Sequence, residues 1–325
     1  MAAVHLGDFG LLADVIIIPS MKNAMSFDLE DYYHVNAFES ANRDNWAGFT
    51  SRVVQSTQRV LELLDEASCK ATFFTLGWVA ENYPELIREI AERGHEVACH
   101  SDKHRRIFEM TAAEFRDDTR VAKDRLEQII GRGIIGYRAP SFSITKDSLW
   151  AFEILAETGF RYDSSIFPVD HPNYGMPRGP RTAFRVPTPR GTIVEFPMPT
   201  LELGGARSPF GGGAYLRLLP YWYTRWGIRF LNEREGQPAC VYVHPWEIDT
   251  GQPRMKGSVT ARVRHYLGLR GLETKLRGLL RDFNFQTMGA LIGEMELESS
   301  SNAEHLLPEI PLAQLEKIAD EVSAR

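Results

Sequence analysis

The segment AMSFDLEDYYH, Ala24 to His34, sets a short apolar run of strand character directly before three carboxylates, Asp28, Glu30 and Asp31. Acids this close raise one another's pKa, so such a cluster is expected where a cation or a proton-transfer reaction needs it. Side chains two apart on an extended segment share a face, which directs Asp28 and Glu30 the same way.

Outward from this strand the hydrophobic periodicity alternates between strand and helix. Residues 51–67 have helical spacing, 71–77 (ATFFTLG) reads as a strand, and 84–94 as a helix opened by Pro84 and closed by Gly94. HEVACH is the next strand, and Thr111 with Glu114 forms a capping box for a helix reaching about Ile130. GIIGYRAP (strand), residues 145–158 (helix) and FRYDSS (short strand) continue the pattern. A Pro-rich section, 167–200, contains a hairpin around Arg190–Gly191, after which a helix over about 214–234, a strand at 239–246 and helical material over 258–282 follow. Repeated βα units predict a parallel sheet, open or closed into a barrel, with chemistry at the C-terminal ends of the strands.

Polar residues stand at those ends: the Asp28–Asp31 cluster, His100 and His104, Arg138, Asp163 and His244. The His100/His104 pair with a nearby carboxylate makes a two-histidine, one-carboxylate set with room for water, the arrangement of catalytic metal sites. One divalent ion is expected, zinc by default, although cobalt, iron and nickel suit the same donors.

Composition narrows the function. The 325 residues are 43% hydrophobic and 11% aromatic, enough for one large α/β domain or two smaller ones. A net charge of -6, with basic residues spread along the chain, gives no footprint for nucleic acid. Cys69, Cys99 and Cys240 sit in or beside apolar runs without CxxC spacing, as buried thiols of a reducing compartment would. No apolar run approaches the ~20 residues of a membrane span, and LLADVIII at 11–18 lacks signal-peptide flanks. A cytoplasmic protein without stable membrane insertion is expected. Met21 before KNAMSFD marks 1–20 as an N-terminal extension, leaving a domain over 21–290 and a tail over 291–325 with one short amphipathic helix.

The ordered motifs SFDLED, ATFFTLG, HSDKH, YRAPSFS, YDSSIFP and YVHPWEID resemble the polysaccharide deacetylases of carbohydrate esterase family four, the NodB-homology group, over about residues 24 to 250. FDLEDYYH, RAPSFSI and HPWEID…QPR are most similar to the exosortase-associated branch found with exopolysaccharide biosynthesis. The resemblance implies a distorted (β/α) barrel of about seven strands, here with a β-hairpin insertion and a C-terminal helical extension, and metal-dependent hydrolysis of an acetamide. It implies Asp28 as catalytic base, His100 and His104 as metal ligands and Arg138 as the arginine that orients the base. Asp163 is then the aspartate paired with the catalytic histidine, His244, which donates the proton to the leaving amine. The family's second aspartate is displaced here by Leu29, so the third ligand is expected to be Glu30, with Asp31 as the alternative. Ser141 and Ser164 replace family aromatics in the groove. Pro140, Ser141, Tyr32 and Trp246 are the expected substrate-binding residues, and an N-acetylated sugar, oligosaccharide or lipid-linked glycan the expected partner. A small cyclic amide or ureide hydrolase and a catalytically silent glycan-binding module are the competing readings.

Overall fold

The computed structural model describes residues 21–38, 43–171, 174–301 and 307–320, so the expected extension over 1–20 lies outside the described residues. Its strands are β1 (Lys22–Leu29), β2 (Thr72–Thr75), β3 (Glu96–Cys99), β4 (Gly136–Tyr137), β5 (Tyr162–Asp163), β6 (Phe184–Thr188), β7 (Gly191–Glu195), β8 (Thr200–Leu203), β9 (Ala206–Pro209), β10 (Cys240–Val243) and β11 (Asn284–Gln286). The main sheet runs β10-β1-β2-β3-β4-β5-β7-β6, and β11 pairs with the start of β1. Seven of these, from β10 to β7, are mutually parallel; β6 is antiparallel to β7.

Parallel strands covered on both faces read as continuous apolar runs, which is why β1 is buried from Asn23 onward. The period of two sorts its side chains. Met25, Phe27 and Leu29 join Phe73, Val97, Tyr137, Val241 and Val243 in the layer beneath the helices. Ala24 joins Phe74, Ala98, Tyr162, Val194 and Cys240 on the inner face. The inner face curls: the fully buried Arg138, beyond β4, reaches Asp28 of β1 and Cys240 beside it, although two strands separate β4 from β1. The result is the α/β, mostly parallel barrel-like architecture expected, with helices outside.

Local chemistry explains the helix ends. Thr111 Oγ1 accepts from Glu114 N at 3.3 Å while the Glu114 carboxylate accepts from Thr111 N at 2.8 Å, and Gly131 closes this helix, Ala112–Ile130, at φ 67°. The expected helix over 214–234 is two helices, Gly213–Leu218 and Tyr221–Arg234, because Pro220 supplies no N–H and Leu219 before it is extended. Lys275 Nζ satisfies the carbonyls freed at this break, those of Leu216, Arg217 and Leu219.

Two expectations need correction, and one element is added. The hairpin β6–β7 is no insertion: β7 is the seventh parallel strand, paired with β5. A second hairpin, β8–β9, turns through Gly204 (φ 59°) and Gly205 (φ 84°), the consecutive positive dihedrals of a tight hairpin that glycine permits. The segment after 290 is no loose tail. Residue 290 lies within the helix Met288–Ser301; Arg185 of β6 pairs with Pro308 and Ile310, and Leu315 and Ala319 of the helix Leu312–Asp320 are buried. This segment covers the β6 edge, which would otherwise present unpaired backbone groups.

Candidate active site

The inner-face parity carries from the strands into the loops beyond them. Asp28 near the end of β1, Glu30 just after it, His100 after β3, Arg138 after β4 and His244 after β10 all converge above the inner core. Glu30 Oε1 lies 3.1 Å from His100 Nε2 and 3.0 Å from His104 Nε2. Burial raises the Glu30 carboxyl, but His104, His100 and His244 more than offset it and hold the group well below the carboxylate range.

The far nitrogens fix what these rings offer. His100 Nδ1 is 2.8 Å from the Arg138 carbonyl, which can only accept, so Nδ1 carries the hydrogen. In the neutral ring Nε2 then turns a lone pair toward the Glu30 carboxylate. His104 Nδ1 faces Asn36 Oδ1 at 3.3 Å in the same sense. Three acceptors converging on one point, with donor-side partners that orient the imidazoles, suit a divalent cation.

Asp31 is not among these acceptors. Its carboxylate accepts from Ser51 Oγ at 2.6 Å and from the backbone N–H groups of Tyr32, Arg52 and Val53, at the start of the helix Val53–Glu66. Burial raises its pKa despite those bonds. Asp31 therefore binds a helix start, and Glu30 alone of the two alternatives faces the histidines.

Asp28 is buried and accepts from Arg138 Nη1 at 2.7 Å. The guanidinium also donates to Ser26 Oγ, Ser164 O and Ser164 Oγ, and lies over the Phe74 ring at 4.0 Å. Such a set compensates a buried cation that would otherwise be costly. The serine at 164 thus completes the arginine's shell.

His244 Nε2 lies 3.9 Å from Asp28 Oδ2 and 3.8 Å from Glu30 Oε1, and its Nδ1 is 3.0 Å from Glu247 Oε2. Burial lowers the imidazole, but Glu247, followed by Glu30 and Asp28, outweighs it and lifts the pKa to about 9. Glu247 is buried, which raises its carboxyl, yet Arg217 and His244 bring it down to about 2. Arg217 Nε donates to Glu247 at 2.6 Å.

The expected Asp163–His244 pairing is not found. Asp163 has the opposite parity on β5: it lies beside Glu195 of β7 and accepts from Ser165. Burial raises both carboxyls, and the Asp163 charge raises Glu195 further. Glu247, the histidine's actual partner, was missed in the sequence. Its signal is the HPWE spacing, which lets Glu247 accept from both the backbone N–H and the ring of His244.

These groups open into a cleft of ≈ 380 Å³. Ser141 lines it at φ 53°, followed by Phe142 at φ 52°, and Ser101 and His104 across from them are also left-handed. Left-handed non-glycine residues are uncommon and strained, and four of the five described here lie in the two loops carrying the site. Pro140 is buried at the base of the Ser141 turn. Trp246 lines the cleft but stacks on His244 and on His265, so it serves as a wall for the histidine. Tyr32 does not reach the cleft: it packs with Tyr33, Trp46 and Trp246, and its hydroxyl donates to Thr50 O. Tyr33 and His34, next in the chain, are buried as well. The Gly211–Gly213 run is a packed wall: Tyr242 N donates to Gly211 O, and a Cβ on Gly212 would meet Tyr242 O at 2.0 Å.

Residues 44–162 match the family described as polysaccharide deacetylase, and residues 164–293 match one described as a domain of unknown function (DUF3473). The chain is similar to a peptidoglycan deacetylase of Helicobacter pylori, 29% identical over 116 residues, 36% of this chain and 39% of that protein. It is also similar to a chitooligosaccharide deacetylase of Azorhizobium caulinodans, 35% identical over 85 residues, 26% of this chain and 40% of that protein. The matches thus span about two fifths of these curated relatives. A crystal structure of a Mycobacterium smegmatis protein assigned as a polysaccharide deacetylase superposes with a TM-score of 0.60 at 20% identity, covering 90% of this chain and 94% of that one, which establishes the shared fold. Among the described residues no helix is long and apolar enough to cross a membrane.

Proposed function

Because this chain carries a polysaccharide deacetylase domain of the NodB type, we propose that it is a metal-dependent N-deacetylase that removes acetate from an N-acetylated sugar. The observation that carries this reading is the convergence of Glu30, His100 and His104 beside Asp28 and His244 in one cleft.

Glu30, His100 and His104 would hold the divalent ion, which supplies Lewis acidity toward water and the amide carbonyl. Asp28 accepts the proton of the attacking water; Arg138 donates to its carboxylate and fixes its orientation. Proton delivery to the departing nitrogen falls to His244 Nε2, because Glu247 holds Nδ1–H and favours the imidazolium. An amine leaves a tetrahedral intermediate only when protonated, so acid and base must face one substrate. Their nearest polar atoms are 3.9 Å apart. Asp163 plays no direct part in this scheme.

The motif resemblance to the exosortase-associated branch favours a glycan of exopolysaccharide assembly as substrate. Incubation of the metal-loaded protein with N-acetylated oligosaccharides, with acetate assayed in parallel with ring-opened acid from cyclic ureides, tests the reaction class. Acetate release that is lost in Asp28→Asn supports the proposal; ring-opened acid without acetate would replace it with the cyclic-amide reading.

A further inference from the structure

The helix Val259–Tyr266 has two unlike sides. Ala261, Arg264 and His265 face the candidate cleft. On the other side Val259, Val263 and Leu267, spaced i, i+4, i+8, are 74%, 54% and 55% exposed. With Arg254, Arg262 and Tyr266 they line a separate surface hollow of ≈ 390 Å³. Single exposed apolar residues are ordinary, but a row of them along one helix is not. The row extends to the neighbouring segment. Arg217 donates to the Leu267 carbonyl at 2.7 Å, and the Arg217 and Gly268 backbones lie too close to admit a Cβ. Leu218, next in the chain, is 47% exposed.

The charge of this stretch of chain is equally one-sided, and two of its cations, Arg254 and Arg262, line the hollow. From Thr250 to Leu272 the chain carries Arg254, Lys256, Arg262, Arg264 and Arg270 and no carboxylate, in a protein whose net charge is -6. All five cations are exposed. The spread of basic residues over the whole sequence hides this stretch, which stands out only through its lack of acids.

We propose that this face docks on an anionic phospholipid bilayer. An apolar row flanked by cations is the composition of a helix that lies in the membrane interface. A second copy of the chain is a poorer occupant, because a two-fold contact sets this cationic face against itself. Since the other side of the same helix faces the cleft, docking holds the cleft within about 10–12 Å, one helix diameter, of the lipid headgroups. The inference rests on the surface and not on the deacetylase reading, and its test uses no substrate.

The test is co-sedimentation of the full chain with phosphatidylcholine vesicles, with and without phosphatidylglycerol. The expected result is binding to the anionic vesicles that falls roughly tenfold in Val259→Asp/Val263→Asp and in Arg262→Glu, and weakens with added salt. Thermal melting controls for folding of the variants. Equal binding by wild type and both variants, or no binding to either vesicle, overturns the proposal. So does a wild-type dimer that Val263→Asp dissociates.

Discussion

His244 Nδ1 lies 3.0 Å from Glu247 Oε2, three residues further along the same loop, and Glu247 is itself held by Arg217 at 2.6 Å. The proton donor is therefore supported by a carboxylate from its own segment. Glu247→Gln removes the charge that lifts His244 to about 9. A general acid must be protonated to act, so a lower pKa moves the alkaline limb of kcat/KM to lower pH, with a loss of roughly tenfold or more above neutrality. A pH–rate profile measures this. An unmoved alkaline limb would mean that the donor is another group.

Asp163→Asn is the matched control. Asp163 lies beside Glu195 on the outer side of β5 and does not support His244. The alkaline limb is expected to stay in place, and a shift equal to that of Glu247→Gln would restore the Asp163–His244 pairing.

Arg138→Ala leaves Asp28 buried without its countercharge. The expected destabilisation is about 3–5 kcal/mol, the range for breaking a buried ion pair from one side, read from denaturant midpoints. Arg138→Lys keeps the charge but not the fork that spans Asp28, Ser26 and Ser164, so it should fold with reduced kcat. Full activity in Arg138→Lys would show that the guanidinium's geometry is dispensable.

Glu30→Gln and Asp31→Asn separate the two neighbouring acids. Glu30→Gln is expected to lose bound metal. Asp31→Asn should retain it and lose about 1 kcal/mol of stability by weakening the start of the Val53–Glu66 helix. Metal analysis and melting of both variants check this, and the reverse pattern would make Asp31 the ligand.

Much of this site was legible because a strand's period of two is strict. The rule that joins Glu30 to Asp28 also fits His100, Arg138 and His244, each one residue beyond its strand. Applied to β5 it puts Asp163 outside and Ser164 inside, as the structure does; there motif order overrode parity and misled. Asp31 and Tyr32 lie past the end of β1, where no periodicity fixes direction. The Asp31 carboxylate went instead to a helix start 21 residues away in sequence. Glu247 was hidden because a glutamate in a short turn looks like an exposed cap until the Arg217 contact, 30 residues away, is known. In the sequence β7 looks like half of an inserted hairpin, because the hairpin's local pattern is independent of which other strand it pairs with.

The measurement that tests the central claim most directly is divalent metal content per chain, for wild type, Asp28→Asn and His100→Ala/His104→Ala, after incubation with zinc or cobalt and removal of excess ion. Near-stoichiometric metal is expected in wild type and Asp28→Asn, because Glu30, His100 and His104 form the proposed ligand set while Asp28 accepts from Arg138, and little is expected in the double variant. A wild type that retains no metal, or a double variant that retains as much as wild type, would contradict it.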